Sequence, residues 1–296
     1  MSSKPPRVLW TFHGTAVVRD YARALDWLSR FCGCRALEYS DNRDPLVDRK
    51  GGVTWLGDNG LELMEPNSPR GGPGRFLSRI GTGIYALALQ VPDAAAAAEW
   101  LQGRGAGIVG DPERGFVFTR PQDTFSIYLE WGSAAWPFDP RFGAPLPPPE
   151  REPLIDVPRI ASWGALAADP PAALARLREL WPAPVLIERP DAELERPAAA
   201  LSIEDGALQL YRLPSDPGTL ERLWGPIPQR PRLHLMSLRV RDLPAAAATL
   251  RREGVRVVRG DAASGEIVTH PDDTCGIGMS WTDRDLPGDP RGPLAG

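Results

Sequence analysis

Cysteine, long apolar runs and an apolar leader are scarce or missing in this sequence, and each absence excludes a class of protein. Only three cysteines occur among 296 residues, Cys32, Cys34 and Cys275. An odd, small number argues for free, buried thiols over a disulfide framework. No run approaches the ~20 apolar residues that span a bilayer, and the N-terminus lacks a signal-like segment. We therefore expect a cytoplasmic protein.

Charge of one sign is also missing. The chain has 34 Lys and Arg against 38 Asp and Glu, with a formal net charge of -4. Without a basic stripe there is no electrostatic footprint for nucleic acid or for an anionic membrane, so we expect neither as a partner. Histidine is rare as well: only His13, His234 and His270 occur. The length and the 42% hydrophobic content fit about two domains.

What the sequence does contain is a repeat. Four times, a strand pattern is followed by an aspartate suited to cap a helix, then by an amphipathic helix and by short strands. The four capping residues are Asp20, Asp93, Asp169 and Asp242, spaced by 73, 76 and 73 residues. The pattern predicts four strand-helix-strands units, each close to 75 residues long, and an α+β fold.

Turns and prolines divide the repeat into domains. In the first unit, Asp58-Asn59-Gly60 is predicted to be the hairpin turn that joins the last two strands. The stretch PFDPRFGAPLPPPEREP, between units two and three, cannot easily join a sheet or a helix. We predict an N-terminal domain at 7–134, a Pro-rich linker at 135–157 and a C-terminal domain at 158–284.

Four features occur in order along the first two units: a first strand with a histidine (TFHGTAVV), an Asp-capped helix, a strand LEL and a second unit ending in an E-W strand. Together they resemble the vicinal oxygen chelate superfamily. This superfamily includes glyoxalase I, methylmalonyl-CoA epimerase, the bleomycin and fosfomycin resistance proteins and extradiol dioxygenases. The resemblance covers nearly the whole chain. It implies βαβββ units paired into two glyoxalase-like domains with curved mixed sheets, each cup being able to hold a divalent metal. We expect consecutive units to share a cup.

The family's metal ligands, carried over onto this sequence, fall on His13, Glu62 and Glu130. The fourth position falls on Ala86, which cannot ligate, and strand alternation directs its neighbour Tyr85 to the other face. One imidazole and two carboxylates leave positions open for substrate. Such a set suits one ion of Mn, Fe, Co, Zn or Mg. Taken singly, each residue also fits an ordinary structural role, but their joint placement favours a site.

The second half of the chain serves as a comparison. Aligning the units sets four residues against the ligand positions, and of these only one could bind a metal: Ser162, Gln209, Leu235 and Ser280. We therefore predict that the C-terminal domain has lost the metal and is a scaffold, an interface or a degenerate pocket. For His234 and His270 we expect surface or supporting roles.

The resemblance and the predicted cup suggest chemistry on a small oxygenated substrate. A metal would stabilise an enolate-like state while Glu130 or Glu62 moves a proton, as in an isomerase, epimerase or lyase. Thr15, Gln90 and Tyr128 are the predicted substrate-binding residues. A binding protein without turnover stays an alternative, as does an extradiol dioxygenase, although that chemistry needs a second histidine. The sequence names no substrate and leaves a homodimer open.

Overall fold

The four predicted aspartate caps begin four helices of the computed structural model, which describes residues 4–45, 47–189, 192 and 195–294. Each of Asp20, Asp93, Asp169 and Asp242 is extended, and its carboxylate accepts a hydrogen bond from an amide of the first helical turn. This satisfies a donor that a helix otherwise leaves free. The helices are α1 (Tyr21–Cys32), α2 (Gly72–Arg79), α3 (Ala94–Gly103), α4 (Pro170–Leu180), α5 (Pro217–Trp224) and α6 (Leu243–Arg252).

Two mixed sheets follow each other along the chain. The first contains β1 (Trp10–Val17), β2 (Arg35–Ala36), β3 (Ser40–Asn42), β4 (Arg49–Leu56), β5 (Asn59–Pro66), β6 (Gly83–Gln90), β7 (Ile108–Asp111), β8 (Phe116–Thr119) and β9 (Leu129–Gly132). The second contains β10 (Arg159–Ala167), β11 (Val185–Glu188), β12 (Ala199–Ile203), β13 (Gly206–Arg212), β14 (Arg232–Arg239), β15 (Val257–Asp261), β16 (Glu266–Thr269) and β17 (Met279–Thr282).

The strand order shows how the units pair. It is β2-β4-β5-β1-β6-β9-β8-β7 in the first sheet, with β3 beside β4, and β11-β12-β13-β10-β14-β17-β16-β15 in the second. The opening strands of consecutive units lie antiparallel at the centre, β1 on β6 and β10 on β14. Units one and two therefore share a sheet, as do units three and four. This confirms the α+β fold of four units paired into two glyoxalase-like sheets.

Two local predictions need correction. The turn between β4 and β5 lies one residue earlier than predicted, because Leu56 pairs with Asn59 and Gly57 takes the left-handed conformation with φ of 62°, which glycine adopts without strain. Helices α2 and α5, each between the two units of a sheet, were not predicted. A proline in the first turn of each was the available signal, because proline is favoured there.

One apolar core joins the two halves. A single cluster of buried side chains includes Leu63 and Leu87 of the first sheet, Leu208 and Leu238 of the second, and residues of α1, α3, α4 and α6. The helices thus cover one face of each sheet and leave the other face for a cup. Cys32 and Cys34 are buried and all three cysteines are free thiols, as predicted.

The closest approach in this core occurs at Gly14 of β1. A Cβ atom there would lie 2.0 Å from the ring of Trp163, which is itself 1% exposed. We expect Gly14→Ala to lower the free energy of unfolding by about 1–3 kcal/mol, because overpacking a buried site displaces neighbouring side chains. Urea unfolding would measure it.

Gly103 supplies the matched control for that substitution. A Cβ atom at Gly103, in the last turn of α3, would meet nothing within 4 Å. Gly103→Ala should therefore leave the protein unchanged or stabilise it by up to about 1 kcal/mol. Equal effects of the two substitutions would contradict the packing of Trp163 on Gly14.

The repeat extends beyond the sheets into an Asp-Pro-Arg motif. Arg141 pairs with the buried Asp139 and donates to the carbonyls of Thr11 (2.5 Å) and Phe12 (2.7 Å) at the start of β1. At the equivalent place in the second half, Arg291 pairs with Asp289 and donates to the carbonyl of Ile160 on β10. The first motif lies in the predicted linker, so this part of that segment packs on the first sheet.

Hairpin turns link the two sheets reciprocally. Asp205, in the turn between β12 and β13, accepts the amide hydrogen of Thr11 at 2.7 Å. Asp58, in the turn between β4 and β5, accepts the amide hydrogen of Ile160 at 3.1 Å. Each sheet therefore satisfies the opening amide of the other sheet's central strand.

Among the described residues, no helix has the length and apolar character to cross a membrane. The boundaries 7–134, 135–157 and 158–284 stay a prediction.

Candidate active site in the first sheet

The strand register brings the three predicted ligand residues onto one face. Thr15 of β1 pairs with Glu62 of β5 in the parallel ladder. On the other side, His13 pairs with Ala88 of β6, and Ala88 pairs with Glu130 of β9. Directly paired residues point to the same side of a sheet. His13, Glu62 and Glu130 therefore face the same cup, with the small Ala88 between His13 and Glu130.

His13 and Glu62 lie close together and are buried. His13 Nδ1 lies 3.2 Å from the Thr15 hydroxyl and 4.0 Å from Glu62 Oε2. His13 is 1% exposed and Glu62 is 5% exposed. Burial lowers the pKa of His13 to about 3, and the positive charges of Arg141 and Arg49 add to this effect. The imidazole is therefore neutral at physiological pH and can accept a hydrogen bond or bind a cation.

Glu62 already has a cation as its partner. The other oxygen of its carboxylate, Oε1, accepts a hydrogen bond of 2.6 Å from Arg49 Nη2, and both side chains are buried. Burial raises the pKa of Glu62, while the charge of Arg49 and the Thr15 hydroxyl oppose the rise. Glu62 is thus a carboxylate held in place by an ion pair inside the protein.

Glu130 has a different environment. Its side chain is buried in β9, and within the described residues nothing donates a hydrogen bond to its carboxyl group. Burial and the negative charge of Glu62 raise the pKa of Glu130 to about 8. Buried carboxyl groups normally have partners, and those without one are often functional. Glu130 is therefore suited to carry a proton near neutral pH.

Tyr85 lies at the cup, contrary to prediction. The pairing of β1 with β6 shifts between Ala86 and Ile84, so Tyr85 is the extra residue of a β-bulge. A bulge breaks strict alternation, and Ile84 packs in the core while Tyr85 contacts Tyr128 with ring centroids 5.1 Å apart. Burial and the neighbouring Tyr128 raise the pKa of Tyr85, and the charges of Glu130 and Glu62 add smaller contributions.

Aromatic side chains close the cup. Trp136 stacks on His13, with ring centroids 5.2 Å apart and planes at 16°. Tyr85 lies between Tyr128 and Phe76 of the unpredicted helix α2. We call Phe76, Tyr85, Tyr128 and Trp136 the aromatic cover, and all four are half-buried.

The three predicted substrate-binding residues have different surroundings. Thr15 is engaged with His13 and Glu62, so it serves these side chains. Gln90 is 3% exposed and its amide oxygen has no hydrogen-bond partner among the described residues. Tyr128 belongs to the aromatic cover. Their role in substrate binding stays a prediction, for which Gln90 offers an unsatisfied acceptor.

The donor set was tested for its fit to a divalent metal. No three His, Cys, Asp or Glu side chains within the described part of the chain are grouped as metal ligands. In this arrangement Glu62 is bound to Arg49, and the fourth family position is Ala86. The set does not fit a metal centre as it stands, so the metal ligands His13, Glu62 and Glu130 stay a prediction.

Two residues of the site were missed by the sequence argument. Arg49 was detectable, since alternation along β4 sets Arg49 on the same face as Val53, the residue that pairs with Glu62. Trp136 was not detectable, since it follows the last strand of the unit and lies in the segment predicted to be a linker. Loop positions carry no periodicity from which contacts can be predicted.

The second sheet has a filled cup. Helix α5 places Leu220, Leu223 and Trp224 against Leu235 and Val268, among other apolar residues. The polar residues there pair with each other: Tyr211 donates to Gln209 at 2.6 Å, and Ser280 donates to Ser237 at 2.9 Å. His234 was expected to have a surface or supporting role. It is buried, with its ring edge-on to Trp224, whereas His270 is half-buried in a turn.

Comparisons with known proteins give the family. Residues 12–119 match the glyoxalase/bleomycin resistance protein/dioxygenase superfamily. The matched residues lie within the N-terminal half of the chain. This confirms the resemblance to vicinal oxygen chelate proteins. No curated protein matches the chain.

Solved structures of the same fold extend the likeness to the full chain. A variant of 4-hydroxymandelate synthase from Streptomyces coelicolor is 15% identical with a TM-score of 0.66, and the alignment covers 98% of each chain. A xylose isomerase-like TIM barrel/4-hydroxyphenylpyruvate dioxygenase fusion protein is 15% identical with a TM-score of 0.65, over 100% of this chain and 51% of that one. Methylmalonyl-CoA epimerase from Mycobacterium tuberculosis is 22% identical over 44% of this chain and 90% of its own, with a TM-score of 0.40. At 15% identity, the likeness to the first two structures shows the fold alone.

Proposed function

We propose that the cup of the first sheet is the acid–base site of an isomerase, epimerase or lyase that acts on a small oxygenated substrate through an enolate-like intermediate. The observation that carries this proposal is that two carboxyl groups with different surroundings lie on one face of the sheet. Glu62 is anchored by Arg49, whereas Glu130 has no partner among the described residues. Environments that push the pKa values of two carboxyl groups apart are typical of acid and base roles.

Glu130 is the proton carrier in this proposal. A general base works best when its pKa lies near the working pH, and burial together with the charge of Glu62 brings the pKa of Glu130 to about 8. Glu130 takes a proton from a carbon beside a carbonyl, which leaves an enolate; the enolate is then reprotonated at another atom in an isomerase or at the same carbon in an epimerase, or expels a leaving group in a lyase. The residue that separates His13 from Glu130 across the strands is the small Ala88.

Metal chemistry does not enter this mechanism. The superfamily resemblance implies one divalent ion, which would polarise the substrate carbonyl if bound. The donors found here do not converge for that purpose, so each step is assigned to the side chains. An iron dioxygenase is disfavoured, since the two-His, one-carboxylate set would need a second histidine, and His234 and His270 belong to the second sheet.

The experiment is solvent deuterium exchange into a panel of small carbonyl compounds that carry an acidic C–H bond, followed by NMR. We expect the wild-type protein to label at least one compound. Glu130→Gln should slow labelling by about 10²–10⁴-fold, because it removes the base without changing shape. The control is Glu113→Gln, an exposed carboxylate outside the cup.

Two outcomes would contradict the proposal. One is exchange at the wild-type rate in Glu130→Gln. The other is tight binding of a panel compound by the wild-type protein without any labelling, which would favour a binding protein that uses the same cup.

A further inference from the structure

Arg49 places a positive charge beside Glu62, one of the predicted metal ligands. It opens β4, and its guanidinium is anchored on one side by Nη1, which donates to the Ser40 hydroxyl at 2.6 Å and to the carbonyl of Gly51 at 3.1 Å. On the other side, Nη2 holds Glu62. The charge of Arg49 also contributes to the lowered pKa of His13. A fixed positive charge therefore lies among the predicted metal ligands.

This charge opposes a divalent ion at the same place. Two cations at contact distance repel each other strongly in a site that excludes water, and Glu62 would have to give up its hydrogen bond to Arg49 in order to ligate. Arg49 is 7% exposed, so the guanidinium has little room to move into solvent. Ala86, in place of the fourth ligand, further lowers the affinity of the site for a metal.

An unused donor on Arg49 points to a ligand. The Nε–H group is buried and has no hydrogen-bond partner among the described residues. Leaving a buried donor unsatisfied costs about 1–3 kcal/mol, and more for a charged group. A buried guanidinium with an unused N–H group is suited to a small polar molecule that has an anionic oxygen.

We propose that the Arg49 guanidinium replaces the divalent metal of the superfamily and binds a carboxylate or enolate oxygen of the substrate through its free N–H group. Arginine suits this role because it is always charged, weakly hydrated and directional in its hydrogen bonds. A preorganised donor aimed at a developing oxyanion is also the usual substitute for a Lewis acid. The substrate class that follows is a small carboxylic acid. This inference rests on the proposed function of the same cup, but its tests do not depend on turnover.

The first test concerns metal binding. We expect the purified wild-type protein to contain no stoichiometric divalent metal by elemental analysis, and to take up no Mn²⁺ in a calorimetric titration. Arg49→Gln should gain measurable Mn²⁺ affinity, because it frees Glu62 beside His13 and removes the repelling charge. Arg49→Lys should continue to exclude Mn²⁺. Stoichiometric metal in the wild-type protein, or a folded Arg49→Gln that gains no affinity, would overturn the proposal.

The second test uses pyruvate as a probe carboxylate, with binding followed by ligand-observed NMR. We expect pyruvate to bind the wild-type protein and to bind Arg49→Gln at least about tenfold more weakly, the effect of losing one charge-assisted hydrogen bond. The matched control is Lys50→Gln, the next residue along β4, whose side chain pairs with Glu65 and is 42% exposed. Equal binding by wild-type protein and Arg49→Gln would refute the role of Arg49.

These outcomes separate the inference from the proposed function. If pyruvate binding depends on Arg49 but no compound exchanges deuterium, the anion site is supported and the acid–base function is refuted. Conversely, exchange that depends on Glu130 in a protein that holds stoichiometric metal would keep the function and overturn the role of Arg49.

Discussion

Arg141→Ala is expected to destabilise the protein by about 3 kcal/mol or more, since it leaves a buried carboxylate without its partner. Asp139 is 2% exposed, and Arg141 holds both of its oxygens while donating to the carbonyls of Thr11 and Phe12. The substitution therefore removes an ion pair and two hydrogen bonds at the entrance of β1. Urea denaturation at neutral pH would measure the change.

Arg151→Ala provides the comparison within the same Pro-rich segment. Arg151 pairs with Asp26 at 2.6 Å, but the two side chains are 43% and 60% exposed. Solvent screens such a pair, and its loss should cost no more than about 1 kcal/mol. The double substitution Asp139→Asn with Arg141→Ala should recover part of the loss, because it no longer buries a charge. Similar effects of Arg141→Ala and Arg151→Ala would refute the structural role of the Asp-Pro-Arg motif.

The pH dependence of stability is expected to differ between the wild-type protein and Glu130→Gln. The folded-state pKa of Glu130 is raised to about 8, against ~4.3 for an unfolded glutamate. Between these values the folded chain binds more protons than the unfolded chain, so the free energy of unfolding falls as pH rises. The contribution of Glu130 is complete below the unfolded pKa and is lost as pH rises through the folded pKa.

Glutamine cannot titrate, so Glu130→Gln should escape this loss. At ~1.4 kcal/mol per pKa unit, we expect the variant to gain about 3 kcal/mol over the wild-type protein between about pH 6 and about pH 9. Urea unfolding of both proteins at several pH values would measure it, with Glu113→Gln following the wild-type curve. Parallel curves for Glu130→Gln and the wild-type protein would contradict the partnerless, buried state of Glu130.

Much of the site was accessible from the sequence because strands alternate with a fixed period. The ligand positions of the resembled family, carried over onto the repeat, fell on His13, Glu62 and Glu130, and the register of β1, β5, β6 and β9 sets all three on one face. The prediction for Tyr85 was wrong for the same reason. A β-bulge at Tyr85 breaks the period, and the local sequence GIYALALQV shows no sign of it.

The family pattern did not assign Arg49 to the site. Its face followed from alternation along β4, yet ligand positions were sought only among His, Asp and Glu. The ion pair with Glu62 depends on residues that are 13 positions apart in the chain. It also depends on the depth at which both are buried, which a sequence pattern does not contain.

The sequence by itself determined the repeat, the helix starts and the faces of the strands, because caps and alternation are local properties of the chain. It also determined that the first half has ionisable residues at three ligand positions and that the second half has none there. Only the tertiary structure decided which of these groups have partners. Different strands and a loop bring the partners together, such as Arg49 on Glu62 and Trp136 on His13. Glu130 is buried where no described residue donates a hydrogen bond to it.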